Sequence, residues 1–185
     1  MSPLIQLWLP ILVTAVLVFI ASSLIHMVFK WHNSDYKKIP NEDDVRTVLR
    51  AGALVPGQYV LPHCLDMKEM QSDGMRQKYI EGPIGLLTIK QNGVPSMGNA
   101  LMLWFVFNIV VASIAAGAAL QAYTLKGDVH QIAHLVGILS FVAYAGGGIQ
   151  AGIWMGKPWS SVAKDLLDGL IYAIISALTF MWLWP

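Results

Sequence analysis

Two histidines four residues apart open the third apolar run of the sequence. His130 and His134 fall on one face of a helix, about one turn apart. Two imidazoles at that spacing are suited to hold one metal ion. They cannot supply both axial ligands of one haem, because those ligands approach the iron from opposite faces. A closed site needs further donors, for which Asp128 and Tyr123 are candidates; the alternative is that both histidines bind headgroups, water or a neighbouring helix.

Asp168 is an acidic residue that lies well inside an apolar run. A carboxylate within a membrane is costly and is usually paired or functional. Lys164 lies four residues earlier, beside Asp165, so the spacing predicts a salt bridge where the positive end of the helix dipole also favours an acid. The alternative is a proton or cation site, with Asn108 and Gln150 as polar groups from other helices.

The remaining histidines are predicted to act separately. His26 and His32 flank the inner end of the first apolar run, where six positions of a continuous helix turn them to nearly opposite faces, so they are expected to be poor co-ligands. His63 stands beside Cys64, the single cysteine. Such a pair binds a metal or forms a reactive thiolate only if a positive neighbour is present, so its role stays open.

The elements that must position these residues are apolar. The chain has 185 residues, of which 56% are hydrophobic and 12% are charged. Four runs are long enough to cross a hydrocarbon core of ~30 Å, which takes ~20 helical residues. They lack the alternation of barrel strands, so they are predicted to be helices. The runs are 4–29, 100–123, 131–154 and 166–184.

The sequence therefore predicts an all-α membrane protein, a bundle of four transmembrane helices with a small mixed α/β cytoplasmic segment, 30–98, between helices 1 and 2. In that segment Asn41 and Gly52 bound a short amphipathic helix. Strands are expected at 58–61 and 86–90, and a weaker helix over 66–79 is interrupted at Gly74.

Lysines near the ends of the runs predict the orientation in the membrane. Six lie on one side and Lys126 lies on the other, and the side with the excess faces the cytoplasm. We therefore expect an inner-membrane protein with both termini in the periplasm. The first run has no preceding Lys or Arg and outlasts a signal-peptide core, so it is expected to be retained. The six are Lys30, Lys37, Lys38, Lys90, Lys157 and Lys164.

Small residues at four-residue spacing predict where helices approach closely. The densest rows lie in the third run, and the short link 124–129 predicts that the second and third runs form an antiparallel hairpin. The first run is mostly bulky and is expected to be peripheral. The helix-packing candidates are Gly148, Gly152 and Gly156 on one row, Ala143 and Gly147 on the next, and Gly117 in the second run.

Composition and motifs narrow the function without fixing it. A net charge of +1 provides no basic field for nucleic acid. The sequence contains no G-x-S-x-G, no phosphate-binding G-x-x-x-x-G-K-[ST] and no H-E-x-x-H. It favours a non-enzymatic subunit or self-associating scaffold in the lipid bilayer, which assembles with itself or another membrane protein and docks a partner through 30–98. The alternative is a small metal-binding or proton- and ion-handling protein that uses His130 and His134 or Asp168. The identity of any cofactor stays open.

Overall fold

The computed structural model describes residues 3–185 and is mostly helical, at 73%, with one small two-stranded sheet. Four helical stretches are long and apolar enough to cross a membrane, which supports a membrane protein. The chain divides into two compact units. The membrane unit comprises the residues before Lys37 together with Ser96–Pro185, and the polar unit is Lys37–Pro95.

Residues 3–185 form seven α-helices and two strands. The helices are α1 Trp8–Ser23, α2 Glu42–Ala51, α3 Met67–Met70, α4 Asp73–Glu81, α5 Met97–Tyr123, α6 Val129–Met155 and α7 Trp159–Leu183, and the strands are β1 Gly57–Leu61 and β2 Gly85–Ile89. The helix α7 starts seven residues before the predicted run 166–184, because Pro158 occupies its N-cap and leaves the polar residues that follow inside the helix. Asp168 is therefore more than two turns into α7.

The first apolar stretch is not one uniform helix. A 3-10 turn, Pro3–Leu7, leads into α1, and a π-helical turn, Leu24–Phe29, extends it. Lys30 then adopts a left-handed conformation with φ 54° and ψ 27°, and a 3-10 turn, Trp31–Asp35, follows. A left-handed residue ends a helix and redirects the chain. The segment after Lys30 thus folds back onto the start of α7 instead of continuing along the helix axis.

The helix α1 has two neighbouring helices, although its bulky composition predicted a peripheral position. It packs against both α5 and α7, whereas α6 packs most extensively against α7. The buried face of α1 carries Thr14, Ala15, Val18 and Ser22 at helical spacing. These small side chains let α1 approach its neighbours, and the bulky residues of the helix lie on its exposed face.

The glycines of α6 meet α7. A Cβ built on Gly148 would lie 2.6 Å from Oδ2 of Asp165, and one on Gly152 would lie 3.0 Å from Cγ2 of Val162. Both distances are shorter than ordinary contacts of a Cβ atom, so glycine at these positions allows the two helices to approach.

The other small residues predicted to pack do not have such neighbours. A Cβ on Gly117 or on Gly147 would meet no heavy atom within 4 Å among the described residues. Ala143 is exposed. Gly156 has a φ of +70° and caps α6, so its role within the chain is to end the helix, where glycine takes the left-handed conformation without strain.

The membrane unit is apolar at the end where α1 begins and α7 finishes. The indole N–H of Trp184 donates to the carbonyl of Leu125 at 3.1 Å, which fixes the last residues against the turn between α5 and α6. Large apolar side chains on the outer faces of the helices remain exposed, as expected for surfaces that contact lipid. The buried cluster at this end is Leu7, Ala112, Ala115, Ala116, Ala119, Ile132, Val136, Phe180 and Trp184.

The polar unit has little core of its own. The strands β1 and β2 pair antiparallel, with Gly57 opposite Ile89, which agrees with the predicted strand character. The helix predicted over 66–79 is split before Gly74, because Ser72 accepts a hydrogen bond from the N–H of Met75 and begins a second helix. Met75 is also the one buried side chain of residues 37–95, all of which the structure describes.

Candidate functional site

The chain reversal after α1 stacks two histidines on each other. The N–H of Lys30 donates to the carbonyl of Ile25 at 2.9 Å, the five-residue step of a π-helical turn. The imidazole rings of His26 and His32 consequently lie 4.8 Å apart between centroids, with 9° between their planes. The expectation that they face opposite directions was wrong, because it assumed that one continuous α-helix contains both.

Both rings meet the carboxylate of Asp168. Nε2 of His32 lies 2.9 Å from Oδ2 of Asp168, and Nε2 of His26 lies 3.8 Å from the same oxygen. Asp168 is 6% exposed. One donor atom from each of the three side chains falls within 4.8 Å of the other two. The three residues thus form a compact group of possible metal ligands at the start of α7.

The partners of the other ring nitrogens indicate which tautomers are present. Nδ1 of His26 lies 3.0 Å from the carbonyl oxygen of Ser22, and Nδ1 of His32 lies 2.9 Å from Oδ2 of Asp35. A carbonyl and an ionised carboxylate only accept hydrogen bonds. Each Nδ1 therefore carries a hydrogen, and Nε2 has a free lone pair only while the ring is neutral. By the same rule, the 2.9 Å between Nε2 of His32 and Asp168 is a hydrogen bond when one proton lies between them.

Asp35 is kept ionised by Lys164. The ammonium group of Lys164 donates to Oδ1 of Asp35 at 2.6 Å and also to the carbonyl of Trp31 and the hydroxyl of Ser34. This hydrogen bond, more than those from His32 and Ser161, lowers the pKa of Asp35 from 3.8 to about 2.

The salt bridge predicted between Lys164 and Asp168 is consequently not the one that forms. Residues four apart on a helix can pair, but the 3-10 turn before the polar unit brings three acceptors to Lys164, and these occupy it. Asp168 is left to the two histidines. The alternative prediction for Asp168, a proton or cation site, remains a prediction.

A count of formal charges shows that the polar cluster has an uncompensated charge. The cluster comprises His26, His32, Asp35, Lys157, Lys164, Asp165 and Asp168. Lys164 pairs with Asp35, and Lys157 pairs with Asp165 at 2.5 Å. With neutral histidines, three carboxylates face two ammonium groups, which leaves one negative charge, on Asp168. A largely buried charge of this kind needs compensation. The cluster therefore has room for one cation.

Two cavities flank the cluster. One of about 370 Å³ is lined by the 3-10 turn and the start of α7, and one of about 310 Å³ reaches into the helices. His26 and Asp165 line both cavities. An ion that approaches from either cavity therefore reaches the exposed side of His26.

The histidine pair that the sequence singled out, His130 and His134, lies at the start of α6, away from the cluster around Asp168. His130 and His134 are both exposed, and the backbone N–H of His130 donates to the capping carboxylate of Asp128. Within residues 3–185 the structure groups no third donor with the pair. A metal at His130 and His134 stays a prediction.

The other polar candidates are also placed apart. Asn108 is fully buried, and neither side-chain atom of Asn108 has a hydrogen-bond partner among the described residues. Gln150 is exposed. Cys64 lies in the polar unit, where its thiol donates to the carbonyl of Asp66. Among residues 3–185, neither Asn108 nor Gln150 hydrogen-bonds to Asp168.

Sequence reasoning identified Asp168 but missed the histidines that surround it. The charge count was not available in the sequence, because Lys30, Lys37 and Lys38 also lie near the first run and only the structure shows which lysines pair. The stacking of His26 and His32 was not available either, because the π-helical turn and the left-handed Lys30 that produce it carry no glycine or other residue type that marks such a bend.

No protein-family model matches the chain, and no curated protein or solved structure is significantly similar to it. Function therefore has to be inferred from the chemistry of the site.

Proposed function

We propose that this chain is an integral membrane protein that binds one divalent transition-metal ion, of the zinc type, through His26, His32 and Asp168. The observation that carries the proposal is the arrangement of the two imidazoles. Their Nδ1 atoms are already hydrogen-bonded, and their Nε2 atoms face the same buried carboxylate.

The donor set suits such an ion. Two neutral imidazoles and one carboxylate, with a fourth position open, form a common set for zinc and related metals. Nitrogen donors disfavour magnesium and calcium, which prefer oxygen. Ligating histidines usually donate their other N–H to a carbonyl or a carboxylate, and the carbonyl of Ser22 and the carboxylate of Asp35 are in those positions.

Metal binding requires a small movement of the rings. Zinc bonds of about 2.0–2.2 Å demand that all lone pairs point at the ion, whereas the lone pairs of two stacked rings lie in nearly parallel planes. The side chain of His26 is 50% exposed and can tilt, whereas the side chain of His32 is 15% exposed and is held by Asp35. We expect His26 to move and His32 to stay.

A single proton is the second candidate for the cation. The 2.9 Å between Nε2 of His32 and Oδ2 of Asp168 is a hydrogen-bond distance, so one shared proton would also neutralise the cluster. In that case the protein handles protons at Asp168 rather than a metal.

The test is the metal content and metal affinity of the full chain purified in detergent. We expect about one ion per chain, and a cobalt-substituted protein should show the visible spectrum of a four-coordinate site. The His26→Gln, His32→Gln double variant should lose metal affinity by roughly tenfold or more, since even neighbours of ligands affect affinity by 10–100-fold. The matched control is the His130→Gln, His134→Gln double variant, which should bind as the wild type does.

Two results would contradict the proposal. Wild-type metal content in the His26 and His32 double variant would place the metal elsewhere, and its loss only in the His130 and His134 variant would favour the site that the sequence first indicated. A wild-type protein that binds no transition metal would leave the proton as the cation of the cluster.

The polar unit supports a second part of the proposal, that the chain docks a partner. Val48, Leu65 and Ile80 are 72%, 83% and 77% exposed, an unusual surface for a small unit with one buried side chain. A cleft of about 1120 Å³ in the same unit is lined by Arg46, Arg50 and Lys90 and by no acidic residue. These features suit an acidic partner with apolar groups, as a non-enzymatic subunit or scaffold requires.

We also propose that the chain self-associates, and Gly117 and Gly147 are the positions at which this is tested. A Cβ added at Gly117 or Gly147 would meet no other heavy atom within 4 Å among residues 3–185, so these positions suit contact with a second copy through the close packing of small residues. The mass of the protein in detergent, measured by light scattering, should exceed that of one chain and fall to one chain in Gly147→Leu. An unchanged mass in that variant would assign Gly147 to the lipid-facing surface.

The orientation is proposed from the lysine distribution. We place the polar unit in the cytoplasm of an inner membrane and both termini in the periplasm. A reporter fused after Pro185 should be active as a periplasmic protein, and one inserted at Gly93 should report the cytoplasm. Exchange of the two results would reverse the orientation.

A further inference from the structure

The cavity that reaches into the helices has an acidic and aromatic lining. Its volume is about 310 Å³, at the lower end of the range for small-molecule sites. The charged groups that line it are Asp165 and Asp168, with His26 at its edge and no Lys or Arg. The electrostatic environment therefore disfavours an anion.

Three buried polar atoms at this cavity have no hydrogen-bond partner among residues 3–185. They are the hydroxyl oxygens of Tyr144 and Tyr172 and Oδ1 of Asp168. Tyr172 is 3% exposed and Asp168 is 6% exposed. Buried polar groups are nearly always hydrogen-bonded, and those that are not call for an explanation. All three atoms are almost completely covered, although their residues line the cavity, so a ligand reaches them only after these side chains shift.

Aromatic rings form one wall of the same cavity. The ring centroid of Trp104 lies 5.9 Å from that of Tyr144 and 6.1 Å from that of Tyr172, and the two tyrosines are 5.3 Å apart. The indole N–H of Trp104 donates to the hydroxyl of Ser22 at 2.7 Å, which holds the ring in place. Its polar edge is thus satisfied, Phe107 stacks on the ring with centroids 5.6 Å apart, and Trp104 also lines the cavity.

We propose that this cavity binds a small organic ammonium ion, with its cationic head between the aromatic wall and the carboxylate of Asp168. Ring faces attract a cation, most strongly those of tryptophan and tyrosine. An ammonium N–H can donate to Oδ1 of Asp168 and to the two hydroxyl oxygens, which are the atoms without partners.

The charges of the cluster favour a cation over a neutral ligand. When both histidines are neutral, the two lysines leave one negative charge on Asp168, and a monovalent ammonium ion matches it. A neutral apolar molecule would leave both this charge and the three polar atoms unsatisfied. The inference does not depend on the metal, because the ammonium ion would use the same charge when no metal is bound.

Metal and ammonium ion should oppose each other. Both compensate Asp168, and because a divalent metal alone already leaves the cluster one positive charge in excess, a second cation would add to that excess. Each should lower the affinity for the other by the same factor, as linkage requires.

The experiment compares two isosteric probes with the full chain in detergent and with a chelator present. Phenyltrimethylammonium carries the charge, and tert-butylbenzene has the same shape without it. Binding is measured by calorimetry and by competition. We expect saturable binding of the ammonium probe and no competition from the neutral one.

Variants then assign the contacts. Asp168→Asn and Trp104→Leu should each weaken binding of the ammonium probe by roughly tenfold, as expected for loss of the charge or of the best ring face. Because Asp168→Asn could also impair folding, a milder variant, Tyr172→Phe, is tested as well. It removes one hydroxyl, and its binding is measured with benzylammonium as a second probe. It should weaken benzylammonium, which has N–H donors, more than phenyltrimethylammonium. The His130→Gln, His134→Gln variant is the matched control.

Three outcomes would overturn the inference. Equal binding of the neutral probe would show a cavity filled by any apolar molecule, including detergent or lipid. Unchanged affinity in a folded Asp168→Asn protein would remove the carboxylate from the site. If Tyr172→Phe affects both ammonium probes equally, or affects neither, the hydroxyl of Tyr172 does not bind the ammonium group.

The test separates this inference from the proposed metal site. Ammonium binding in the chelated protein without any metal binding would leave the inference standing and reject the metal. Metal binding with no ammonium binding would do the reverse. If both bind, added zinc should raise the apparent dissociation constant of the ammonium probe, and no change would contradict the shared use of Asp168.

Discussion

The two ends of the membrane unit are built on different principles. At the end where α7 finishes, Phe180 and Trp184 pack with Ile132 and Val136 in an apolar cluster. At the end where α7 begins, Asp168 meets His26 and His32. Each end has a pair of histidines, but only one pair has a third donor. Spacing along one helix places two side chains together, whereas a site requires a second segment that folds onto them.

The largest effect is expected from added volume near the polar end. A Cβ on Gly169 would lie 2.8 Å from Cβ of Ala145 and 3.2 Å from its backbone nitrogen, whereas one on Gly137 would lie 3.3 Å from Cβ of Ala177. Gly169→Ala should lower the free energy of unfolding by ~1–3 kcal/mol, since overpacking against backbone is poorly relieved.

Gly137→Ala is the matched control at the apolar end of the same interface. It should cost less than ~1 kcal/mol, because a tight contact is offset by the gain of ~0.5–1 kcal/mol when alanine replaces a helical glycine. Both are measured as unfolding midpoints in detergent. A Gly137 variant that is the less stable of the two would show that the apolar end packs more tightly.

The second prediction concerns the partner of Lys164. In a double-mutant cycle of thermal stability, Lys164→Gln and Asp35→Asn should be strongly coupled, because their charged groups are 2.6 Å apart. Lys164→Gln and Asp168→Asn should be coupled more weakly, through His32 alone. Stronger coupling of Lys164 with Asp168 than with Asp35 would support the salt bridge that the sequence predicted.

The third prediction is an acid-dependent loss of stability at the polar end. The pKa of Asp35 is lowered to about 2 by Lys164, His32 and Ser161, so the unfolded state binds its proton more tightly than the folded state does. The stabilisation is complete above a pH of about 3.8 and is lost as the pH falls towards about 2. The stability difference between wild type and Asp35→Asn should vanish over this interval. A difference that stays constant would show that Asp35 is not stabilised in its ionised form.

The smallest effect is expected at the other histidine pair. His130 and His134 are exposed, and exposed substitutions usually change stability by less than ~0.5 kcal/mol. Their double replacement by Gln should leave the unfolding midpoint within that range. A marked loss would reveal a partner for these side chains, such as a second copy of the chain.

Much of the fold was predictable because long apolar runs report directly on helices. The spans, the two strands and the short helix after Asn41 all follow from local composition and turn residues. The packing of α1 was not predictable. Bulky residues dominate its composition, and only the buried positions, such as Thr14 and Val18, show the small face that contacts α5 and α7.

The site was predictable only in part, for a related reason. An acid inside an apolar run, such as Asp168, stands out in any sequence. Its partners came from a segment 136 positions earlier in the chain, through a bend that no residue type marks. Side chains that meet through such a bend leave no periodic signal, so neither His26 nor His32 could be assigned to Asp168 from spacing.

Because of the π-helical turn Leu24–Phe29, the cluster depends on how many residues the turn contains as well as on which residues they are. A turn of this kind holds one more residue than the α-helical turn that it replaces. Deletion of a single residue between His26 and Lys30 would restore the α-helical phase and rotate everything that follows by about 100°, the angle per residue of an α-helix. His32 would then point away from Asp168 although every group that forms the cluster is still present. Insertions and deletions in this turn should therefore be less well tolerated than substitutions, the reverse of what is usual for the end of a helix.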